Sequence, residues 1–350
     1  MMYRILVLLL KRNPLLHGGN SLKVLLLFLC LVWYATSGYL YFELPAKPDL
    51  HWSDALWWTL VTMTTVGYGD YFPESTAGRY LVGLPTMIFG IGFLGFIISE
   101  LAAKFIESRS RRLQGMENTK AKDHIIIVNF SKYEDILNLI SELKSDPSTQ
   151  HKAICLIDED LEQIPPRLAD LGVHFVKGNP TRERVLHQAG LQRAGHVIVL
   201  AKDRGNPHSD DQNLATVLII EKLHPDIFSI VEVVDPDKVR QMELAGGNSV
   251  VCLSDFTTNM VIQELQDPGV KHVIEQLTSN RYGQQFYLVP IQAQGMQYRH
   301  LLQWGAANGY AVVGLMRQGQ AVINCPAGED IHTRDLAILI GDKRPKEITL

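Results

Sequence analysis

The chain has 350 residues, with 33 Lys and Arg against 37 Asp and Glu, for a formal charge of −4. That near balance argues against a nucleic-acid binder, which carries a basic face. Hydrophobic residues make up 46% and charged residues 20%, so a disordered or fibrous chain is excluded.

The hydropathy separates two halves. Residues 1–108 hold long apolar runs, and residues 120–350 read like an ordinary soluble protein. At the N-terminus the apolar run 5–10 is too short for a secretory core, and Lys11, Arg12 and Pro14 follow it. Residues 1–18 read instead as a short interfacial helix. The run 22–42 has one charge, Lys23, at its start. About 20 residues at about 1.5 Å each cross a bilayer core. A second uncharged run, 81–98, can continue helically through Lys104 and Phe105. Tyr34, Tyr39 and Tyr41 sit near one end of the first run, as in an aromatic belt. Arg4, Lys11, Arg12 and Lys23 precede the first run, and Lys104, Arg109, Arg111, Arg112, Lys120 and Lys122 follow the second. Only Lys47 and Arg79 lie between them. The positive-inside rule then places both termini in the cytoplasm and residues 43–80 outside.

The segment between the runs is too apolar to be a plain solvated connection. Residues 52–63 read as a short helix that Ser53 can cap. Too short to span, it re-enters the membrane, with the negative end of its dipole inward and favourable to a cation. Next comes Thr64-Thr65-Val66-Gly67-Tyr68-Gly69-Asp70. Non-helical backbone at membrane depth is tolerated where it lines an enclosed polar path. Gly67 and Gly69 permit backbone angles closed to other residues. The carbonyls of Thr65, Val66, Gly67 and Tyr68 can then all face one side and replace the water shell of a cation. One chain supplies one such strand, so a pore needs several copies, and four is the number this chemistry uses.

The stretch TMTTVGYGD, set between two spans and preceded by Trp57-Trp58, resembles the signature of potassium-selective channels of the simple two-helix type. The resemblance implies that Thr65, Val66, Gly67, Tyr68 and Gly69 form a filter holding K+, with the Thr65 hydroxyl at its inner end. It implies that Tyr68 packs outward against Trp57 and Trp58, with Asp70 at the outer mouth. Val61 stands where some relatives carry an acidic residue, so contact from that position to the filter is expected to be absent. The second span carries Gly83, Pro85, Gly90, Gly92 and Gly95. Pro85 is expected to kink it early. The resemblance points to Gly90 as a gating hinge; close helix packing is the alternative use of these glycines. Glu100 lies near the cytoplasmic mouth.

Residues 104–122 are polar and read as a helix end followed by a linker, placed at 109–122. Met116, ahead of a complete soluble module, is a candidate second translation start. Apolar runs at 124–128, 152–157, 173–176, 196–200 and 228–233 alternate with helical patterns at 133–144, 161–171, 182–188, 209–223 and 236–244. This alternation predicts a doubly wound parallel sheet, with ligands beyond the carboxyl ends of its strands. Over about residues 120–280 the chain resembles the RCK domain, which regulates potassium channels and transporters. The stretches that carry the likeness are Leu156-Ile157-Asp158-Glu159-Asp160, Gly178-Asn179-Pro180-Thr181 and Ala189-Gly190-Leu191, with Asp235-Pro236 and Ala245-Gly246-Gly247. By that resemblance residues 255–277, broken at Asp267-Pro268-Gly269, form a helix-turn-helix that pairs two domains. Residues 286–343 resemble the small α+β C-terminal lobe.

The expected fold is an all-α membrane pore domain followed by a cytoplasmic, Rossmann-like α/β domain and a small α+β lobe. The expected limits are an N-terminus over 1–20, pore domain 21–108, linker 109–122, Rossmann-like lobe 123–254, pairing segment 255–280 and C-terminal lobe 281–350.

Two ligand classes stay open for the regulatory half. The first is an adenine nucleotide or dinucleotide such as ADP or NAD. The glycine fingerprint is missing, since Asn129, Ser131 and Glu134 stand at its positions, but Asp158 ends the second strand, where an acid can bind ribose. Asn129, Phe130, Ser131, Asp158, Glu159 and Asn179 are the candidate residues. The second is Ca2+, which wants several carboxylate and carbonyl oxygens. In calcium-activated relatives, carboxylates occupy the end of the fourth strand and two alternate positions of the fifth. Here Leu200 and Val234 stand at two of these and only Glu232 matches, which leaves Glu232 and Asp203 as candidates. Scattered cysteines (Cys30, Cys155, Cys252, Cys325) and histidines (His187, His196, His208, His224) point to no disulfide framework and no zinc site. No catalytic grouping is present, so an enzyme is not expected. The resulting expectation is a potassium-selective channel subunit of the inner (plasma) membrane, gated by an intracellular ligand. It would be a homotetramer in the lipid bilayer, with paired RCK domains, or an octameric ring if free domains join. The alternative is a nucleotide-sensing subunit of a potassium transport system or a membrane-anchored nucleotide sensor.

Overall fold

The computed structural model describes residues 21–292 and 295–349, with side chains from residue 26 onward. The interfacial helix expected over residues 1–18 lies outside the described residues. The chain divides into two compact units, one ending at Arg109 and the other beginning at Ser110.

The first unit is helical: α1 (Ser21–Glu43), α2 (Trp52–Met63) and α3 (Leu84–Leu113). The 23 residues of α1 reach about 35 Å, enough for a bilayer core. Large apolar side chains face outward, among them Leu27, Trp33 and Tyr41 on α1 and Ile88, Phe89, Ile91 and Ile98 on α3. A helix exposed and apolar over most of its surface suits hydrocarbon rather than water. α1 and α3 are long and apolar enough to cross a membrane. A π-helical stretch, Gly78–Gly83, leads into α3. Pro85 follows it, and its missing N–H leaves the Leu81 carbonyl without a helical donor. The Tyr34 hydroxyl on α1 donates to that carbonyl. The disturbance expected at Pro85 thus takes the form of widened turns just ahead of it. Inside this unit Tyr39 stacks on Trp58 with ring centroids 4.4 Å apart. Glu43, buried at the end of α1, accepts the Ser75 hydroxyl at 2.6 Å and the N–H groups of Glu74 and Ser75 at 3.0 and 3.1 Å.

In the second unit strands and helices alternate. The strands are β1 (His124–Val128), β2 (Ile154–Asp158), β3 (His174–Lys177), β4 (Ala194–Val199), β5 (Phe228–Val233) and β6 (Ser249–Cys252). The connecting helices are α4 (Tyr133–Ser145), α5 (Pro166–Asp170), α6 (Glu183–Gln188), α7 (Ser209–Leu223) and α8 (Val239–Leu244). All six strands pair in parallel, in the order β3-β2-β1-β4-β5-β6. β1 is buried on both faces. Ile126 and Val128 pack with Val217 and Ile220 of α7, while Ile125 and Ile127 pack with Ile136 and Ile140 of α4. That is why its sequence is a continuous apolar run. The helix expected over 161–171 shrinks to α5, because Pro165 and Pro166 can open a helix but not continue one.

The helix end and linker expected over residues 104–122 can be followed in detail. α3 continues to Leu113, whose side chain packs on the Ile125–Ile127 cluster, and Lys177 N donates to Gly115 O at 3.1 Å.

After β6 come α9 (Leu253–Gln266) and α10 (Val270–Thr278), broken at the expected Asp267-Pro268-Gly269 turn. Neither has a buried residue; Phe256, Val261, Ile262, Leu265 and Val273 are exposed. The C-terminal lobe holds β7 (Gln285–Gln292), α11 (Tyr298–Asn308), β8 (Ala311–Arg317), β9 (Gln320–Ile323), β10 (Leu336–Gly341) and β11 (Ile348–Thr349). Its mixed sheet runs β11-β7-β10-β8-β9, with Tyr298 and Leu301 of α11 in its core.

Arg317 ties this lobe together, meeting Asp335 at 2.9 Å and Glu329 at 2.8 Å. Burial alone raises the Asp335 pKa, but the Arg317 guanidinium and the His332 N–H outweigh it and hold the carboxyl below its ordinary range. Its ionised form therefore stabilises the lobe fully above about pH 4, and that contribution is lost as pH falls through the lowered value. Arg317→Met should destabilise the chain at pH 7 by about 2–3 kcal/mol, less than for a fully buried pair because Arg317 is 23% exposed. Thermal melts of wild type and variant should converge below pH 4; an equal gap at pH 7 and pH 3 would contradict the ion-pair account.

Candidate functional site

Two places in the chain carry chemistry: the loop after α2 and the crevice at the carboxyl ends of β1 and β4. The first begins with the placement of α2. Asp54 reaches back to accept the His51 N–H at 2.9 Å, so the helix starts at Trp52 and the expected cap, Ser53, lies inside its first turn. An acidic residue at that third position satisfies a free N–H and favours the positive helix end.

At its far end α2 holds the loop through its carbonyls. Thr65 N donates to Thr62 O at 3.1 Å, and Val66 N and Gly67 N both donate to Val61 O at 3.0 and 3.3 Å. The expectation of no contact from position 61 is therefore corrected: the contact is made by the Val61 main chain. Among the described residues no donor takes the carbonyls of Thr65, Val66, Gly67 or Tyr68. Positive φ occurs at every second residue, with Thr65 at 62°, Gly67 at 58° and Gly69 at 77°. Such alternation turns successive carbonyls toward one side. At the two glycines it is unstrained, whereas Thr65 is β-branched and held there against its preference.

The loop is propped from outside. Tyr68 stacks on Trp57, with centroids 5.9 Å apart and planes within 6°. Trp57 Nε1 donates to Asp70 at 2.9 Å, and Tyr71 N donates to the other Asp70 oxygen at 3.0 Å. Trp58, expected beside Tyr68, is instead buried against Tyr39, because neighbouring helix positions point to different faces. Gly90 lies in unbroken helix and is a close-packing point: a Cβ there would sit 2.8 Å from Met63 Cα. At Gly92 and Gly95 a Cβ would meet nothing within 4 Å.

The second place lies where the strand order reverses, between β1 and β4, the position at which such sheets bind ligands. Asn129 takes φ 74° in place of the missing glycine, a conformation that asparagine tolerates. Its Nδ2 donates to Leu200 O at 2.8 Å and Asn213 Oδ1 at 2.9 Å. Asp158 is buried; its oxygens accept Phe130 N at 2.9 Å, Asp160 N at 2.9 Å and Leu161 N at 2.8 Å. The acid expected to bind ribose thus fastens the turn after β1 to the turn after β2. Glu159 accepts Gln212 Nε2 at 2.9 Å. Asn179 turns to its own loop, accepting Thr181 N at 2.9 Å. Ser131 Oγ is buried with no partner among the described residues.

Two cations that the sequence reading passed over stand in the turn after β4. Lys202 Nζ lies 3.7 Å from Asp158 and 3.6 Å from Glu159, and contacts Asp160. Burial works against its charge, yet these carboxylates hold its pKa above the ordinary value. Arg204 binds Glu232 at 2.6 Å and also pairs with Asp135 in the first turn of α4. The signal was available: the Lys202-Asp203-Arg204 run directly follows a predicted strand end at the switch point. The calcium candidates are not brought together. Glu232 is engaged by Arg204 and by Ala201 N at 3.3 Å, while Asp203 accepts Gly205 N at 2.9 Å in its own turn. Among the described residues no three His, Cys, Asp or Glu side chains are grouped to hold a metal. Beside Glu232 opens a cavity of about 430 Å³, walled by Arg204, Val234, Ser254 and Thr257.

An ion-channel family model matches residues 25–107, and a TrkA-N domain model matches residues 137–253. The Bacillus subtilis protein described as potassium channel protein YugO is 25% identical over 315 residues, covering 87% of this chain and 91% of that protein. The calcium-gated potassium channel TvoK of Thermoplasma volcanium is 26% identical, covering 78% of this chain and 77% of its own. The solved GsuK channel bound to NAD is 23% identical with a TM-score of 0.47, covering 92% of this chain and 58% of that one. The human SLO3 gating ring shares the fold over 63% of this chain and 44% of its own, at 14% identity and a TM-score of 0.50. The two matched modules define an ion-channel region followed by a TrkA-N domain with a Rossmann-like parallel sheet. The chain thus carries an ion-channel module and a TrkA-N domain, and the relatives that match it over most of its length are potassium channels.

Trp57→Phe keeps the stack on Tyr68 and removes the indole donor to Asp70, whereas Trp57→Ala removes both. Flux of Rb+ into proteoliposomes should fall modestly in the first variant and at least about tenfold in the second, as two supports of about 1 kcal/mol each are lost. Equal flux in both variants would show that the Trp57 props do not hold the loop.

Proposed function

We propose that four copies of this chain surround one pore selective for K+, opened and closed by a ligand bound to the second unit. The observation that carries the pore is the loop at residues 65–69: the N–H groups of Thr65, Val66 and Gly67 turned back on α2, the carbonyls of Thr65 to Tyr68 without a donor among the described residues, and handedness alternating at Thr65, Gly67 and Gly69. Carbonyl oxygens of this kind replace the hydration of a K+ ion only when several strands ring it. The charges flanking the spans favour cytoplasmic termini in the plasma membrane, with the second unit inside. The uncovered apolar faces of α9 and α10 suit pairing of RCK domains between subunits, in a ring of four domains or of eight if free domains join.

For the ligand, an adenine nucleotide such as ADP or NAD fits the crevice better than calcium fits Glu232 and Asp203. Ser131 Oγ is buried without a partner among the described residues, in the turn where phosphates dock in this fold, and Lys202 and Arg204 border the same crevice. Glu159 is the carboxylate with most freedom to take a ribose hydroxyl, since Asp158 is filled by main-chain donors. Asp135, Asp158, Glu159, Asp160 and Glu232 together outnumber the two cations, so phosphate must compete with carboxylates for them. TvoK is calcium-gated by name; in this chain Arg204 fills the carboxylate that Ca2+ would need.

Purified chain in planar bilayers, with K+ and Na+ gradients, tests both halves. The expected result is K+ over Na+ selectivity and an open probability that shifts on adding ADP or NAD to the side of the second unit. Equal passage of Na+ would overturn the pore assignment. Opening that ignores both nucleotides and follows Ca2+ would overturn the nucleotide assignment.

A further inference from the structure

The segment that follows α3 is fixed to the regulatory domain at every step. α3 ends in a Schellman motif: Met116 N donates to Arg111 O at 3.0 Å and Gly115 N to Arg112 O at 3.2 Å, with Gly115 at φ 69°. The free carbonyl of the last turn, Leu113 O, accepts Ile164 N at 2.9 Å. Gly115 O accepts Lys177 N at 3.1 Å and Gln188 Nε2 at 3.0 Å. Glu117 O lies 3.1 Å from His174 Nε2. Thr119 N donates to Gln188 O at 3.0 Å, and Thr119 O accepts Arg193 Nη2 at 2.8 Å. A side chain at Gly115 would collide with Lys177 N, so only glycine lets the chain lie this close to β3.

Both groups that hold the helix end lead back to Asp158. Along the loop, the Asp158 carboxylate accepts Asp160 N and Leu161 N, and Ile164 of the same loop holds Leu113. Across the sheet, Asp158 is the register partner of Lys177, Asp158 O accepts Gly178 N at 2.9 Å, and Lys177 holds Gly115. Of the three carboxylates around Lys202, Asp158 is the buried one, 3.7 Å from its ammonium group.

We propose that residues 113–119 are a staple rather than a linker, and that Asp158 joins crevice occupancy to the end of α3 through it. The inference rests on the gating role proposed above. Any ligand that draws Lys202 away from Asp158, Glu159 and Asp160 changes the loop that carries Ile164 and the strand that carries Lys177. Leu113 closes the last turn of α3, so displacement of the staple is displacement of that turn. Gln188 and Gly115 are positioning residues in this scheme; neither touches ion or ligand.

Hydrogen exchange and single-channel recording on the full-length channel in nanodiscs and bilayers test it, with Gln188→Ala and Gly115→Ala as variants and ADP, NAD and Ca2+ as probes. Amides of residues 115–119 should be protected in wild type, and Gln188→Ala should lower that protection by about tenfold, as expected for losing a side-chain donor that bridges two carbonyls. Open probability should shift in both variants while K+ selectivity stays. If no probe alters wild-type opening but both variants shift it, the ligand reading falls and the staple stands. Wild-type amides exchanging at unprotected rates would overturn the staple. So would variants that lose protection yet open and respond like wild type, an outcome that leaves the ligand reading intact.

Discussion

Four residues of backbone, Thr65 to Tyr68, must turn their carbonyls to one side, and most of the first unit follows from that demand. The N–H groups of Thr65, Val66 and Gly67 need acceptors, and the last turn of α2 supplies them through Thr62 O and Val61 O. That turn must be held at fixed depth, which the buried Tyr39–Trp58 stack and the close approach of Gly90 to Met63 achieve. The outer end must not collapse, and Trp57 braces it through Tyr68 and Asp70. Among the described residues the carbonyls then face no donor. In the proposed pore, symmetry-related copies and a cation would supply the missing interactions.

The second unit solves a different problem with the same economy of groups. Its sheet opens a crevice at the β1/β4 reversal, yet the glycines that usually shape such a site are replaced. Asn129 supplies the left-handed turn and then uses its amide to bind β1 to Leu200 and Asn213. Asp158 uses its carboxylate to join two turns. Lys202 and Arg204 are balanced against five carboxylates rather than left free for phosphate. A ligand bound there would share those cations with the protein's own acids, which would link binding to loop arrangement by differential affinity.

The sequence made the pore loop and the parallel sheet legible because both depend on local pattern. Two uncharged runs, a Gly-x-Gly loop and five short apolar strands with helices between them are written directly in the residue order. Less was readable where long-range geometry decides. Trp57 and Trp58 are adjacent, and only the packing of α1 tells which one meets Tyr68. The Val61 contact is made by main chain, which no side-chain identity reveals. Asp158 sits at the ribose position by strand order, but its hydrogen bonds to Phe130, Asp160 and Leu161 need the folded turns to be seen. Residues 109–122 look like a linker because they are polar; their polar main chain is what lets them line the exposed edge of β3.

That last difference decides how force is carried. A flexible segment of about 14 residues has a root-mean-square reach of about 20 Å and absorbs displacements of a few ångströms without tension. A helix capped at Gly115 and hydrogen-bonded at Leu113, Gly115, Glu117 and Thr119 has no such slack. Movement of β3 or of the loop after β2 is then movement of the helix end, to within the give of a few hydrogen bonds. Packed elements of this kind switch between discrete arrangements rather than stretch. The work available at the crevice, a redistribution of Lys202 among three carboxylates, is small, and a coupling without slack is the condition under which so small a change reaches the last turn of α3.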